Sequence, residues 1–288
     1  MPVIQKSNLA FSIDLLRCFV VVIDTRSFTL ASRQLHSTQS TVSQKIMRLE
    51  ELVGLRLLER GRQGVMPTEA GDRLLGYARR MLALNDEAAA AMTGAARQIT
   101  LRLGLPEDFA SGRVTPSLAA FIRQNPQVKL EVRSGLSRDL FRAYQRGELD
   151  LALVKQHRGD VRGRMHWLEP LAWFQSTHVA QADSNPLPLV AFPPAGLYRN
   201  EMTAALDRAG RQWRLVYTSS SLAGLLSAID AGLGISLLPR RVVAGGLREI
   251  TTLPEVEAME IAIHQADPKM PFASEIVEIL AAAIGGRT

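Results

Sequence analysis

Between Thr38 and Gly54 the chain reads TQSTVSQKIMRLEELVG, and its first half carries side chains suited to hydrogen-bonding a flat polar edge. Gln39, Ser40, Ser43 and Gln44 are short or amide-tipped. A glutamine amide offers donor and acceptor together, so it can bond a base edge in two places, and short hydroxyls let a backbone come close. Lys45 and Arg48 follow within the same run, and Arg60 and Arg62 come soon after. Such cations hold phosphate oxygens. The chemistry suggested is recognition rather than bond-making. A solvated helix face has a similar composition, so the run alone leaves both readings open.

The elements around it decide between them. Val42, Ile46, Leu49 and Val53 recur at i, i+4, i+7 and i+11, one apolar stripe at helical period. At about 100° per residue, Ser40, Gln44, Met47, Arg48 and Glu51 fall on the opposite side. Thr38 is placed to cap the helix and Gly54 to stop it. Upstream, 14–25 reads as an apolar helix, with Leu15, Leu16, Phe19, Val22 and Ile23 available to pack. Residues 27–36 read as a short second helix, capped by Ser27 or Thr29, with Leu30, Ala31 and Leu35 inward. Two helices on a tight turn, the second with an exposed polar N-terminus, make a helix-turn-helix. Residues 55–60 and 65–66 around the basic, glycine-flanked 61–64 tip read as a hairpin wing.

The stretch from about Leu16 to Gly71 resembles, without a gap, the N-terminal winged helix-turn-helix of LysR-type transcriptional regulators. Its ordered motifs are SFT-x-A, L-H-x-[ST]-Q-S, V-S-x-x-I, L-E, L-x-x-R and P-T-E-A-G. The resemblance implies that the polar face enters the major groove of double-stranded DNA. Gln39, Ser40, Ser43 and Gln44 then read or flank bases. Met47 shares that face, Lys45, Arg48, Arg60 and Arg62 hold phosphates, and Ser27, Thr29 and Thr38 stand at the helix starts. Leu30 and Met47 depart from the family, which often has Arg at the first and a basic or polar residue at the second.

Bulk properties agree. The 288 residues allow a small domain and a larger one. The net charge is +6, and residues 1–66 hold nine Lys or Arg against five Asp or Glu, so an excess of four lies in the part assigned to DNA. The single Cys18 lies in an apolar helix and reads as a core thiol. No signal peptide and no uninterrupted apolar run of spanning length is evident. The expectation is a cytoplasmic protein with no membrane partner.

Residues 68–92 read as one helix roughly 37 Å long at 1.5 Å per residue. Leu75, Ala78, Leu82, Asn85, Ala89 and Met92 alternate spacings of three and four, as a coiled-coil seam does. A helix packed on its own domain has the same pattern; family members dimerise through this helix, and that favours the seam. Residues 93–98 then read as a hinge. From 99 onward strands and helices alternate. The first unit has strands 99–105, 128–133 and 151–154 with helices 116–123 and 137–146, a parallel βαβαβ unit. The second has strands 189–192, 214–217 and 235–238 with helices 199–209 and 220–231. The chain returns through 261–266 and closes with a helix at 273–284. By resemblance this is the family's effector-binding domain.

The whole is expected to be α/β, with an N-terminal winged helix-turn-helix, a long linker helix, and a two-lobed α/β periplasmic-binding-protein-like effector domain. The boundaries are 1–66 for the DNA-binding domain, 67–98 for the linker helix and hinge, and 99–288 for the effector domain. Lobe I is placed at about 99–156 and 267–288 and lobe II at about 157–266, joined by crossing strands near 154–156 and 262–266. Ligands in such sheets bind beyond the carboxyl ends of the strands. That nominates Pro106, Glu107, Asp108 and Phe109, then Ser134, Gly135 and Ser137, then Phe192, Tyr198 and Arg199, then Ser219, Ser220 and Ser221. Acids on one lip and hydroxyls on the other suit a neutral or partly cationic, moderately apolar ligand, unless Arg199 turns inward.

Catalysis is not indicated. Gly135-Leu136-Ser137-Arg138-Asp139 lacks the second glycine of a nucleophile elbow, and Gly232-Leu233-Gly234 is not completed because position 237 is Leu. The five histidines show no ligand spacing and are expected at surfaces or caps. No cofactor or metal is expected. The reading is a LysR-type regulator, a homodimer or homotetramer on an interrupted palindromic operator, modulated by a small molecule and meeting RNA polymerase if it activates. The alternatives are an effector-independent DNA binder and, more remotely, an α/β enzyme with an appended basic domain.

Overall fold

The structure, a computed structural model, describes residues 10–61, 64–93, 98–110, 114–194, 196–243 and 245–285. Arg62 and the centre of the expected hinge, 94–97, lie outside the described residues. The chain forms two units: Met1–Gln98 with Ala143–Glu148, and Ile99–Arg142 with Leu149–Thr288.

The first unit is built from α1 (Ile13–Thr25), α2 (Phe28–Gln34), α3 (Gln39–Val53), the hairpin β1 (Leu58–Gly61) and β2 (Gly64–Pro67), and α4 (Glu69–Thr93). Leu16, Phe19 and Val22 of α1 are fully buried and meet Ala31, Val42, Ile46 and Leu49 in one core. Ser27 caps α2 by accepting from the Leu30 N–H, and Thr38 caps α3 by accepting from Thr41 N–H at 3.2 Å. Gly54 ends α3 in the left-handed region at φ 70°. Cys18 is buried, and burial pushes its thiol up to about 11.

Two glycines carry close approaches. A Cβ on Gly64, at φ 99°, would stand 2.6 Å from the Arg26 carbonyl oxygen, which accepts from Val65 N–H and anchors the wing. On Gly71 a Cβ would stand 2.0 Å from the Leu57 carbonyl oxygen, so only glycine lets α4 start there. Thr68 caps that start, its Oγ1 accepting from Gly71 N–H.

Two expectations are corrected in this unit. Leu30 points outward, 50% exposed, because capping by Ser27 turns Ala31 rather than its neighbour into the core. Along α4, Leu75, Ala78 and Leu82 are buried in the unit's own core, against α1 and its neighbours. They are therefore unavailable to a partner helix. Among the described residues of α4 the large exposed apolar side chains are Tyr77, Leu84 and Met92, with Asn85 and Ala89 exposed beside them.

The second unit runs β3 (Ile99–Pro106), α5 (Glu107–Ala110), α6 (Thr115–Gln124), β4 (Val128–Gly135), α7 (Ser137–Gln145), β5 (Leu151–Gln156), β6 (Met165–Glu169), β7 (Leu171–Ser176), β8 (Leu187–Ala191), α8 (Leu197–Arg208), β9 (Trp213–Thr218), α9 (Leu222–Asp230), β10 (Ser236–Pro239), a 3-10 turn at Arg240–Val242, β11 (Leu247–Ile250), β12 (Met259–Gln265) and α10 (Ala273–Gly285). One five-stranded sheet has the order β4-β3-β5-β12-β6, with β3 parallel to both β4 and β5. The other lobe holds parallel β8 and β9 and the antiparallel trio β10-β7-β11. Each lobe buries its own apolar side chains, Leu103, Leu153 and Ile263 in one and Leu189, Leu206 and Leu237 in the other.

The lobe boundaries are corrected here. β6 pairs with β12 as the edge of the first sheet, so 165–169 and 259–265 belong to lobe I. β5 and β12 lie side by side inside that sheet and do not cross between lobes. The chain passes between lobes at Pro170 and through 251–258. β6, with the sequence MHWLE, is mostly exposed and has no alternation strong enough to read. His264 departs from the surface expectation: it is buried on β12, its ring tilted at 60° against Phe141 with centroids 4.9 Å apart, and burial lowers its pKa.

Candidate functional site

The first unit presents a polar face at the start of α3. Gln39, Ser40, Gln44, Met47 and Arg48 are exposed, while Ser43 is half-buried. Local hydrogen bonds order this face before any partner arrives. Thr38 Oγ1 lies 2.9 Å from Ser40 Oγ and 2.8 Å from Thr41 Oγ1, and Thr29 Oγ1 donates to Gln39 Oε1 at 3.3 Å. Ser27 has its hydroxyl in the cap of α2. Lys45 is engaged by Asp14, with Nζ 2.8 Å from the carboxylate. Arg48 is exposed, and Arg60 lies on the wing with its guanidinium 5.7 Å from the centre of the Phe28 ring. The arrangement offers amides and hydroxyls flanked by cations, the division of labour that base reading and phosphate holding require.

The second unit contains a cleft of about 440 Å³ between its lobes, at the carboxyl ends of β3 and β4 and the start of α9. Pro106, Glu107, Asp108, Ser134, Gly135, Ser137, Phe192, Tyr198, Ser220 and Ser221 line it. Three nominated residues do not. Phe109 is fully buried in the lobe I core, Ser219 caps the α9 turn by accepting from Ser221 N–H, and Arg199 donates to the Phe192 carbonyl at 3.4 Å. Arg199 therefore does not set the sign of the pocket.

Lys155, Arg241 and Glu169 were not anticipated from sequence, and they govern the electrostatics. Asp108 Oδ2 accepts from Lys155 Nζ at 2.6 Å and from Arg241, and Arg241 Nε binds Glu169 at 2.9 and 3.0 Å. All four side chains are at least four-fifths buried. Burial alone would raise Asp108, but Lys155 and Arg241 outweigh it and hold the carboxyl below its ordinary value. Burial pushes Glu169 up and Lys155 down, and the opposite charges only partly offset this. Arg241 also stacks on Phe109, its guanidinium carbon 3.9 Å from the ring centre, and Lys155 Nζ sits 4.6 Å from the centre of Tyr198. Glu107 reaches across the cleft, where its Oε2 accepts from Leu222 N–H at 3.0 Å, the first residue of α9.

Two family models match this chain. The helix-turn-helix model of bacterial regulatory proteins of the lysR family covers residues 13–72, and the LysR substrate binding domain covers 94–283. The chain belongs to the LysR family. The HTH-type transcriptional regulator DgdR of Burkholderia cepacia is 33% identical over 262 residues, covering 91% of this chain and 84% of that protein. Among solved structures, ArgP from Mycobacterium tuberculosis superposes with a TM-score of 0.74 at 21% identity, over 96% of this chain and 98% of that one. Full-length LysG from Corynebacterium glutamicum, with bound effector Arg, gives 0.69 at 22%, over 96% and 99%.

This LysR-type protein is thus a DNA-binding transcriptional regulator with an effector-binding domain. The polar face of α3 falls inside the first match, and the cleft inside the second. Lys155 is the penultimate residue of β5, Glu169 ends β6, and Arg241 lies in the 3-10 turn after β10. No sequence spacing links the three, because the tertiary structure alone brings the ends of β5 and β6 and the turn after β10 together. Among the described residues no helix is long and apolar enough to cross a membrane.

Proposed function

We propose that this LysR-family regulator reads an interrupted palindromic operator with Gln39, Ser40, Ser43 and Gln44 of α3 in the major groove. Arg48, Arg60 and Arg62 hold flanking phosphates, and Met47 rests against the groove. The exposed N-terminal half of α3, with hydroxyls and amides already ordered by Thr38 and Thr29, is the observation that carries this reading. Lys45 contributes only when it leaves Asp14.

Two copies pair through α4, using the exposed stripe of Tyr77, Leu84 and Met92 in place of Leu75, Ala78 and Leu82. Pairing about a two-fold axis brings two recognition helices to one duplex and matches a palindrome. The cleft between the lobes of the second unit takes a small-molecule effector, and LysG, which holds Arg, supports that use of the fold. The protein works in the cytoplasm without catalysis and contacts RNA polymerase where it activates. Footprinting of the full chain on its own promoter region tests the DNA part. Protection of two half-sites on one face of the duplex is expected, and uniform binding to scrambled DNA would refute it.

A further inference from the structure

Among the described residues the cleft has two places able to receive an anion, and the chain fills both with its own carboxylates. Glu107 occupies the first N–H of α9, while the Ser221 and Ser219 hydroxyls take the N–H groups of Gly224 and Ser221. Asp108 occupies Lys155 and Arg241, whose remaining donor edge is held by Glu169. A carboxylate entering the cleft must displace one of these acids and leave it without its partner.

What stays open has a different character. Asp139, in the first turn of α7, is exposed on the cleft wall, and its carboxylate makes no hydrogen bond or ion pair among the described residues. Tyr198 lines the cleft, is 6% exposed, and its hydroxyl has no hydrogen-bond partner among the described residues. Burial, with Asp108 and Glu169 nearby, holds that phenol well above its ordinary pKa, so it remains an O–H donor. Leu197, Leu222 and Val242 supply apolar wall for an aliphatic stem.

Resting on the reading of this cleft as the effector site, we infer that it selects a compact molecule carrying a protonated amine or guanidinium and a carbonyl acceptor, and rejects small carboxylates. The cation faces the Asp139 carboxylate on the cleft wall. The carbonyl accepts from Tyr198 and satisfies a buried donor that otherwise stands unpaired. The chain's own Glu107 and Asp108 act as internal occupants of the anion positions.

Calorimetry on the full-length chain with L-argininamide, agmatine and glutarate tests this. Agmatine has the cationic groups of argininamide without the carbonyl. Argininamide is expected to bind about five- to tenfold more tightly than agmatine, one hydrogen bond's worth, and glutarate not measurably. Tyr198→Phe should reduce argininamide to the level of agmatine and leave agmatine unchanged. Asp139→Asn should weaken both. Glu107→Gln, which weakens the chain's hold on α9, should raise glutarate binding into the measurable range. Tight glutarate binding by the unaltered chain overturns the inference while upholding the effector cleft, and so does argininamide binding indifferent to Tyr198→Phe and Asp139→Asn. Failure of all three probes, with no gain in Glu107→Gln, overturns the cleft reading as well.

Discussion

Leu82 and Leu84 stand two positions apart on α4, and the structure gives them opposite tasks. Leu82 is 8% exposed and packs in the first unit's core, whereas Leu84 is 67% exposed. Truncating a buried leucine removes its transfer energy and leaves a cavity, together about 2–5 kcal/mol. Leu82→Ala should therefore cost about 3 kcal/mol. In a domain of this size each kcal/mol lowers the melting temperature by about 4–8 °C, so a fall of more than 10 °C is expected in the unit's transition. Leu84→Ala removes little that is buried in the single chain, so its fold should change by less than about 0.5 kcal/mol. In a two-fold pair both copies of Leu84 lose their contact, so about 2–4 kcal/mol of association is at stake, roughly 30- to 1000-fold in the dimer constant. Differential scanning calorimetry at fixed protein concentration reads the first effect and sedimentation equilibrium the second. Loss of dimer in Leu82→Ala with an unshifted transition, or an unaltered dimer constant in Leu84→Ala, would refute the division of the two faces.

On DNA, Gln44→Ala should cost about 1–3 kcal/mol of discrimination between operator and scrambled duplex. Competition binding that leaves this ratio intact would show that Gln44 does not face bases. Arg60→Ala should weaken all sequences alike and flatten the slope of log affinity against log salt by about one unit. Asp14→Asn frees Lys45 from its ion pair, so affinity for random duplex at low salt should rise and the salt slope steepen; unchanged slopes would mean that Lys45 is out of reach of phosphate. Asp108 has a depressed folded-state pKa, so its stabilisation is present above its ordinary value, about pH 4, and is lost as pH falls below it. Asp108→Asn should lower the second unit's stability near neutral pH by about 3–5 kcal/mol and make its acid unfolding limb shallower. Equal acid limbs in the two proteins would refute that assignment.

Local chemistry made much of the molecule legible from sequence alone. Thr38, Gly54 and the 3.6-residue stripe of Val42, Ile46 and Leu49 set the limits and the orientation of α3, because capping, left-handed backbone and helical period act within a few residues. The parallel β3, β4 and β5 were readable for the same reason, as was the cleft at their carboxyl ends. Tertiary structure alone decided three things. Spacing along α4 fits either a partner helix or α1, and only packing shows that α1 takes Leu75, Ala78 and Leu82. β6 joins the first sheet through backbone hydrogen bonds to β12, which its mixed side chains do not announce. In sequence the sign of the cleft follows from neighbouring acids alone, but Lys155, Arg241 and Glu169, up to 133 positions away from Asp108, determine how that carboxylate is paired. A charge's effect depends on its distance to other charges in space and on the water excluded between them, and neither is a function of separation along the chain.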